Sequence, residues 1–278
     1  MRLATLRVAG TTAAARVDGE RAVLIEAYAS VSQLLRTPDW RTVAAAAGGA
    51  LVDLAGADYA PVVPDPRKIV CVGLNYANHI EEMGRELPEF PTLFAKFPEA
   101  LIGPYDDIAV PSWAAAQLDW EGELAVIVGA QASAVPVENA DAYIAGYAVA
   151  NDVTVRDFQY RTTQWLQGKT FAGTCPLGPT LVTPDEFSPG PTLTTLVQDA
   201  TVQSDSTGDL VFTPQRLISY ISHIVALHPG DVILTGTPGG VGHASGTYLR
   251  DGQTLRTEID GLGALRNTVR IHNTATAI

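Results

Sequence analysis

The stretch Asp119-Trp120-Glu121-Gly122-Glu123 runs directly into Leu124-Ala125-Val126-Ile127-Val128-Gly129. Side chains alternate along a strand, so Glu121 and Glu123 share one face if the stretch is a single strand. The apolar run ending at glycine reads as a strand buried on both faces, which sets the two carboxylates where the chain enters a core. Two desolvated carboxylates repel each other. Either one holds a proton at a raised pKa, or a cation sits between them. Oxygen-only ligands favour Mg²⁺, Mn²⁺ or Ca²⁺ over zinc. A strand edge carrying two solvated glutamates is the alternative, and the stretch alone leaves both open.

Composition narrows the class. At 278 residues and 46% hydrophobic the chain suffices for a large core, and a main domain with a smaller appendage is expected. Its 18 Lys and Arg face 30 Asp and Glu, a net charge of -12, which argues against a general nucleic-acid or anionic-membrane surface. An anionic substrate then needs a local cationic pocket. Only Cys71 and Cys175 are present, and no basic start with a long apolar run opens the chain, so a cytoplasmic protein without a disulfide framework is expected.

Residues 3–8, 13–17 and 22–24 read as short strands, the last two joined at Asp18-Gly19. Ser30 is placed to cap a short helix through Leu35, and Thr37-Pro38 to open an alanine-rich one. Pro61, Pro64 and Pro66 form a stiff connector, which divides a small N-terminal domain, residues 1–64, from a main domain, residues 65–278. Residues 68–73 read as an apolar strand and Asn75 to Gly84 as a short helix. On that helix His79 and Glu82 are i and i+3, on one face. A glutamate beside an imidazole holds one tautomer and raises its basicity, as a general base requires; a surface salt bridge is the other reading. Pro88 to Pro98 reads as a loop able to fold over a site.

Further on, the strand-like run 143–150 ends in Asn151-Asp152, either a third metal ligand or a turn-forming pair. Arg156, Gln159 and Lys169 supply cationic and amide donors. Gly168-Lys169-Thr170 is no phosphate loop, because Thr163 stands where that motif needs glycine. Thr213-Pro214 starts an amphipathic helix with Leu217, Ile218, Ile221, Ile224 and Val225 on its apolar face and His223 off it. The glycine-rich run from Thr235 to Gly242 brings backbone amides close to a substrate or a neighbouring strand, but with Ser245 at the last glycine position and no helix expected it is no dinucleotide site. His243 and His272 belong to no recognisable constellation.

Taken in order, six segments between Lys68 and Asn273 resemble the fumarylacetoacetate hydrolase family, which includes acylpyruvate hydrolases, oxaloacetate decarboxylases and hydroxymuconate-type isomerases. They are Val72 through His79, Asp119 through Gly129, Gly146 through Gln159, Gly168 through Phe171, Pro229 through Gly242, and Gly261-Leu262-Gly263. The resemblance implies an α+β, mainly β fold: a rolled mixed-sheet catalytic domain, a small N-terminal α/β domain and a homodimer. It also implies Glu121, Glu123 and Asp152 as ligands of Mg²⁺ or Mn²⁺ (Ca²⁺ in crystals), Lys169 beside the metal, and His79 with Glu82 as a water-activating dyad on a lid. Arg156, Gln159 and Thr237 stand where family members contact substrate. Two departures bear on substrate choice: Ser206 replaces an asparagine, and the loop Phe171 to Pro176 lacks an acidic residue.

These groups suit cleavage beside a 2-oxo acid. Because the dyad is present, hydrolysis of an acylpyruvate through a pyruvate enolate ranks first, oxaloacetate decarboxylation second and hydroxymuconate-type isomerisation or tautomerisation third. A non-catalytic oxo-acid-binding protein is the remaining alternative. A dicarboxylate substrate needs a second cation, for which Arg85, Lys96 and Arg161 are the candidates.

Overall fold

The computed structural model describes every residue except Met83, Arg85 and residues 274–278. Its main sheet sets strands side by side in the order Leu51–Asp53, Arg21–Ile25, Thr11–Asp18, Arg2–Val8, Cys175–Val182, Ile144–Asn151, Gly122–Val128, Val232–Leu234, Ile69–Gly73 and Thr92–Lys96. Neighbours along it are antiparallel except Val232–Leu234 beside Ile69–Gly73, which makes the sheet mixed. The N-terminal meander continues this sheet through Leu3 opposite Leu181. A second sheet, Ala200–Ser206, Thr192–Val197, Thr254–Ile259, Gly263–His272 and Ile108–Pro111, closes over the first. The architecture is the mainly β, α+β arrangement that the strand-rich reading expects.

The apolar run after Glu123 shows why the first sheet holds together. Ala125 and Ile127 enter one core while Leu124, Val126 and Val128 enter the core on the other face. Both faces of this strand are therefore dry, as an unalternating hydrophobic run requires. Gly122 is where the two sheets meet: a Cβ there would collide with the Thr195 hydroxyl and press on Thr257. A glycine between the two glutamates thus lets the second sheet lie on the first.

Helices are short. Ser30 caps Val31–Leu35 by accepting from Gln33 N, and Thr213 caps Pro214–Ile224 by accepting from Arg216 N. Leu217, Ile218 and Ile221 are buried, whereas Ile224 at 64% and Val225 at 42% exposure lie past the end of the packed face. The alanine-rich helix spans Trp40–Ala45, two residues later than Thr37-Pro38 suggests, because Thr37 O accepts from Trp40 N in a preceding turn. Residues 88–98 are not wholly loop: Thr92–Lys96 is the edge strand of the main sheet, paired with Ile69–Gly73. Pro91 and Pro98 flank that strand and interrupt none of its ladder. A four-residue helix, Gly242–Ser245, follows the glycine-rich run where none is expected. Among the described residues no helix is long and apolar enough to cross a membrane.

Candidate metal and catalytic site

Strand Gly122–Val128 begins at Gly122, and Trp120-Glu121 precede it outside the ladder. Pairing Gly122 with Asn151 brings Asp152 beside the two glutamates. Carboxylate oxygens of Glu121, Glu123 and Asp152 lie within 4.8 Å of one another, and all three residues are buried. Burial removes both the solvated-edge reading of the glutamates and the exposed-turn reading of Asp152.

A ladder of alternating charge runs through the cluster. Asp119 Oδ2 accepts from Arg156 Nε at 2.8 Å, and Arg156 Nη1 lies 2.7 Å from Glu121 Oε1. Lys169 Nζ reaches Glu121 Oε2 at 2.5 Å and Asp152 Oδ2 at 2.9 Å. Lys96 Nζ completes the ladder on Asp152 Oδ1 at 2.6 Å. Three cations thus face three of the four carboxylates. Glu123 has only a backbone hydrogen bond, from Gly236 N at 2.7 Å.

The titration of these groups follows from that pairing. Burial, then the charges of Asp152 and Glu121, push the Glu123 carboxyl well above its ordinary range. Glu121 is buried too, yet Lys169 and Arg156 outweigh desolvation and hold it below the usual carboxylate value. Burial opposes the charged form of Lys169, but Asp152 and Glu121 raise its pKa. The uncompensated Glu123 beside two further carboxylate oxygens is a donor set that fits a hard divalent cation.

The remaining expected residues converge on the same cavity. His79, Arg156, Gln159, Lys169 and Thr237 line it with Glu121 and Glu123. His79 is 8% exposed, and its Nδ1 sits 3.2 Å from Glu82 Oε2. Glu82 also accepts from Gly240 N at 3.1 Å, which fastens the helix Ala77–Glu82 to the glycine-rich run. Asn78 adds a second fastening, donating to Asp205 Oδ2 at 2.5 Å. Arg156 Nη2 is buried without a protein partner, while Nη1 donates to Gln159 Oε1 at 2.9 Å.

Several participants are not visible in the sequence. Asp119 anchors Arg156 and also accepts from the backbone of Gly242 and His243. Gln203 accepts from Gly122 N and donates to Thr237 Oγ1, both through hydrogen bonds that no local motif announces. His243, which seemed isolated in the sequence, lines the cavity; its ring nitrogen Nδ1 is 3.2 Å from Tyr248 OH. Of the three candidate distal cations, Lys96 is buried beneath Asp152 instead, because the edge strand carries it inward. Arg161 packs its guanidinium 3.4 Å over the Phe158 ring, and Arg85 lies outside the described residues.

A family model described as "Fumarylacetoacetate (FAA) hydrolase C-terminal" matches residues 68–270. A mitochondrial oxaloacetate tautomerase of Rattus norvegicus is 42% identical over 212 residues, 74% of this chain and 67% of the relative. A mitochondrial oxaloacetate tautomerase of Homo sapiens is 43% identical over 213 residues, 74% of this chain and 68% of the relative. Among solved structures, a fumarylacetoacetate hydrolase from psychrophilic Exiguobacterium antarcticum superposes with a TM-score of 0.87 at 32% identity, covering 98% of this chain and 100% of that one. Maleylpyruvate hydrolase from Sphingobium sp. SYK-6, in complex with manganese (II) ion and pyruvate, gives 0.82 at 29% identity, with 98% and 100% covered.

Proposed function

The chain belongs to the fumarylacetoacetate hydrolase family, and from that premise we propose that it is a divalent-cation-dependent enzyme of enolisable 2-oxo acids, with oxaloacetate tautomerisation as its leading reaction. The observation that carries this reading is the imidazole of His79, held by Glu82 and opening on the cavity that Lys169 and Arg156 line. Two relatives named oxaloacetate tautomerases, at 42% and 43% identity, favour oxaloacetate.

Glu121, Glu123 and Asp152 would hold Mg²⁺ or Mn²⁺. When bound, such an ion supplies Lewis-acid polarisation of substrate oxygens. Arg156 Nη2, buried and unpartnered, offers its N–H groups to a substrate carboxylate, with Gln159 and Thr237 beside it. Glu82 accepts the Nδ1 proton of His79, so Nε2 carries the lone pair that receives a proton. In tautomerisation that nitrogen takes a proton from C3 of the keto acid and gives one to the enol oxygen, or the reverse. Lys169 offsets the negative charge of the enolate between the two transfers.

Carbon–carbon hydrolysis of an acylpyruvate, first on the sequence alone, is the second reading. The same dyad favours it, as does the likeness to a maleylpyruvate hydrolase. Here Nε2 takes the proton from water, the hydroxide adds to the distal carbonyl, and the bond to C3 breaks to leave a free acid and the pyruvate enolate.

The test uses protein stripped with EDTA and restored with Mn²⁺, followed by NMR in D₂O with oxaloacetate, acetylpyruvate and fumarylpyruvate. Metal-dependent keto–enol interconversion of oxaloacetate, lowered about 10²- to 10⁴-fold in His79→Asn, is the expected result. Pyruvate released only from an acylpyruvate replaces tautomerisation with hydrolysis. No turnover of any of the three with metal bound overturns both.

A further inference from the structure

Lys96 is an unusual residue to bury. Its ammonium lies at the end of the edge strand Thr92–Lys96, 2% exposed, in the dry interior beside Cys71 and Cys175. Desolvating a lysine is costly unless a partner compensates it. Two partners do: Asp152 Oδ1 at 2.6 Å and the backbone carbonyl of Lys169.

Those partners are the two groups whose placement the cavity depends on. Asp152 has its oxygens divided between two ammonium groups, Oδ1 on Lys96 and Oδ2 on Lys169. Held from below through Oδ1, the carboxylate cannot rotate, and Oδ2 stays on the side of Glu121. The Lys169 carbonyl belongs to the last residue of the helix Leu166–Lys169, so the same ammonium fixes the backbone from which the Lys169 side chain springs. One buried cation therefore sets the position of a carboxylate and of the ammonium opposite it.

We propose that Lys96 is a positioning residue that holds Asp152 and Lys169 in register for divalent-cation binding and turnover. The inference rests on the metal reading of Glu121, Glu123 and Asp152. It differs from a plain internal ion pair, which would contribute to folding and leave the cavity's chemistry untouched. Groups that orient a ligand from behind typically matter 10- to 100-fold in metal affinity or activity.

Lys96→Met keeps the aliphatic stem and removes the charge; Lys96→Gln keeps a donor of shorter reach and serves if the methionine variant does not fold. Each is stripped of metal and titrated with Mn²⁺ by calorimetry, with kcat and KM at saturating Mn²⁺ and the melting temperature measured alongside. The expected result is Mn²⁺ binding weakened about 10- to 100-fold, with kcat lowered at saturating metal and KM little changed, because Arg156 is left in place. Mn²⁺ affinity and kcat equal to wild type, with only a lower melting temperature, would make Lys96 structural and overturn the inference. Tighter Mn²⁺ binding would also overturn it, since charge repulsion would then outweigh orientation. Wild-type protein that takes up no Mn²⁺ overturns the metal reading and this inference with it, whereas wild type that binds and variants that bind equally well overturn this inference alone.

Discussion

Replacing Lys169 with methionine separates the charge role of this side chain from its packing. The methionine keeps a flexible apolar stem near the Phe94 ring, over which the ammonium now sits 5.1 Å from the centroid. What is lost is the cation shared by Glu121 at 2.5 Å and Asp152 at 2.9 Å, in a side chain 2% exposed. Breaking a buried pair by removing one partner costs about 3–5 kcal/mol, because the other charge stays behind uncompensated. At about 2–4 °C per kcal/mol for a chain of roughly this size, the metal-free variant melts about 6–20 °C below wild type.

Mn²⁺ should reverse much of that loss. In wild type the Lys169 ammonium competes with a cation for Glu121 Oε2 and Asp152 Oδ2; in the variant both oxygens are free. A ligand at 100 times its Kd stabilises by about 2.7 kcal/mol, and at 1,000 times by about 4.1. The gain in melting temperature on adding Mn²⁺ is therefore larger in Lys169→Met than in wild type. Turnover moves the opposite way and falls about 10²- to 10³-fold, the cost of one charge-stabilising donor in a transition state. Differential scanning calorimetry with and without Mn²⁺, beside steady-state rates, reads all three quantities. A metal-free melting point equal to wild type, or a Mn²⁺ gain no larger than wild type's, refutes the shared-cation reasoning.

Glu123→Gln removes the carboxylate that has no cationic partner, so the metal-free variant should be more stable than wild type at neutral pH and gain nothing from Mn²⁺; thermal melts with and without the ion check this. His243 titrates below its ordinary value because burial, then Arg156, disfavours its charged form. The unfolded chain therefore binds the extra proton first, so this group's contribution to stability is complete above pH 6.5 and declines as pH falls through 6.5 toward the lower folded value. A pH series of denaturant melts should show that acid-side slope diminished in His243→Gln. Gly122→Ala forces a Cβ against Thr195 and Thr257, and the overpacking should cost about 1–3 kcal/mol in urea unfolding. Thr213→Ala removes the side chain that caps Pro214–Ile224 and should cost about 1 kcal/mol in the same assay with turnover unchanged.

Whatever in this molecule follows a local rule was legible in the chain. Alternation put Glu121 and Glu123 on one face, the apolar run after them gave a strand dry on both sides, and i, i+3 spacing joined His79 to Glu82. Thr92–Lys96 escaped because five strand residues framed by prolines look like loop until a partner strand is supplied. Asp119, Gln203 and His243 escaped for a related reason: each acts across a long sequence separation, and nothing in the sequence brings strand ends from different sheets to one point.

Lys96 is the instructive miss, since a lysine in a proline-rich segment reads as a solvated or substrate-facing cation. Its true setting is decided by sheet order, which places the edge strand beside Ile69–Gly73 and turns the side chain under Asp152. Once there, it changes the charge count of the whole site. With Lys96, Lys169 and Arg156 matched against Asp152, Glu121 and Asp119, the six groups sum to zero and Glu123 alone remains unmatched. A divalent ion then leaves the site at plus one, and a 2-oxo acid bearing one carboxylate brings it to neutrality. Remove Lys96 and the same ion with the same substrate ends at minus one, on the wrong side for stabilising an enolate. The residue the sequence placed at the far end of the substrate is thus the one that sets the sign of the charge where the enolate forms.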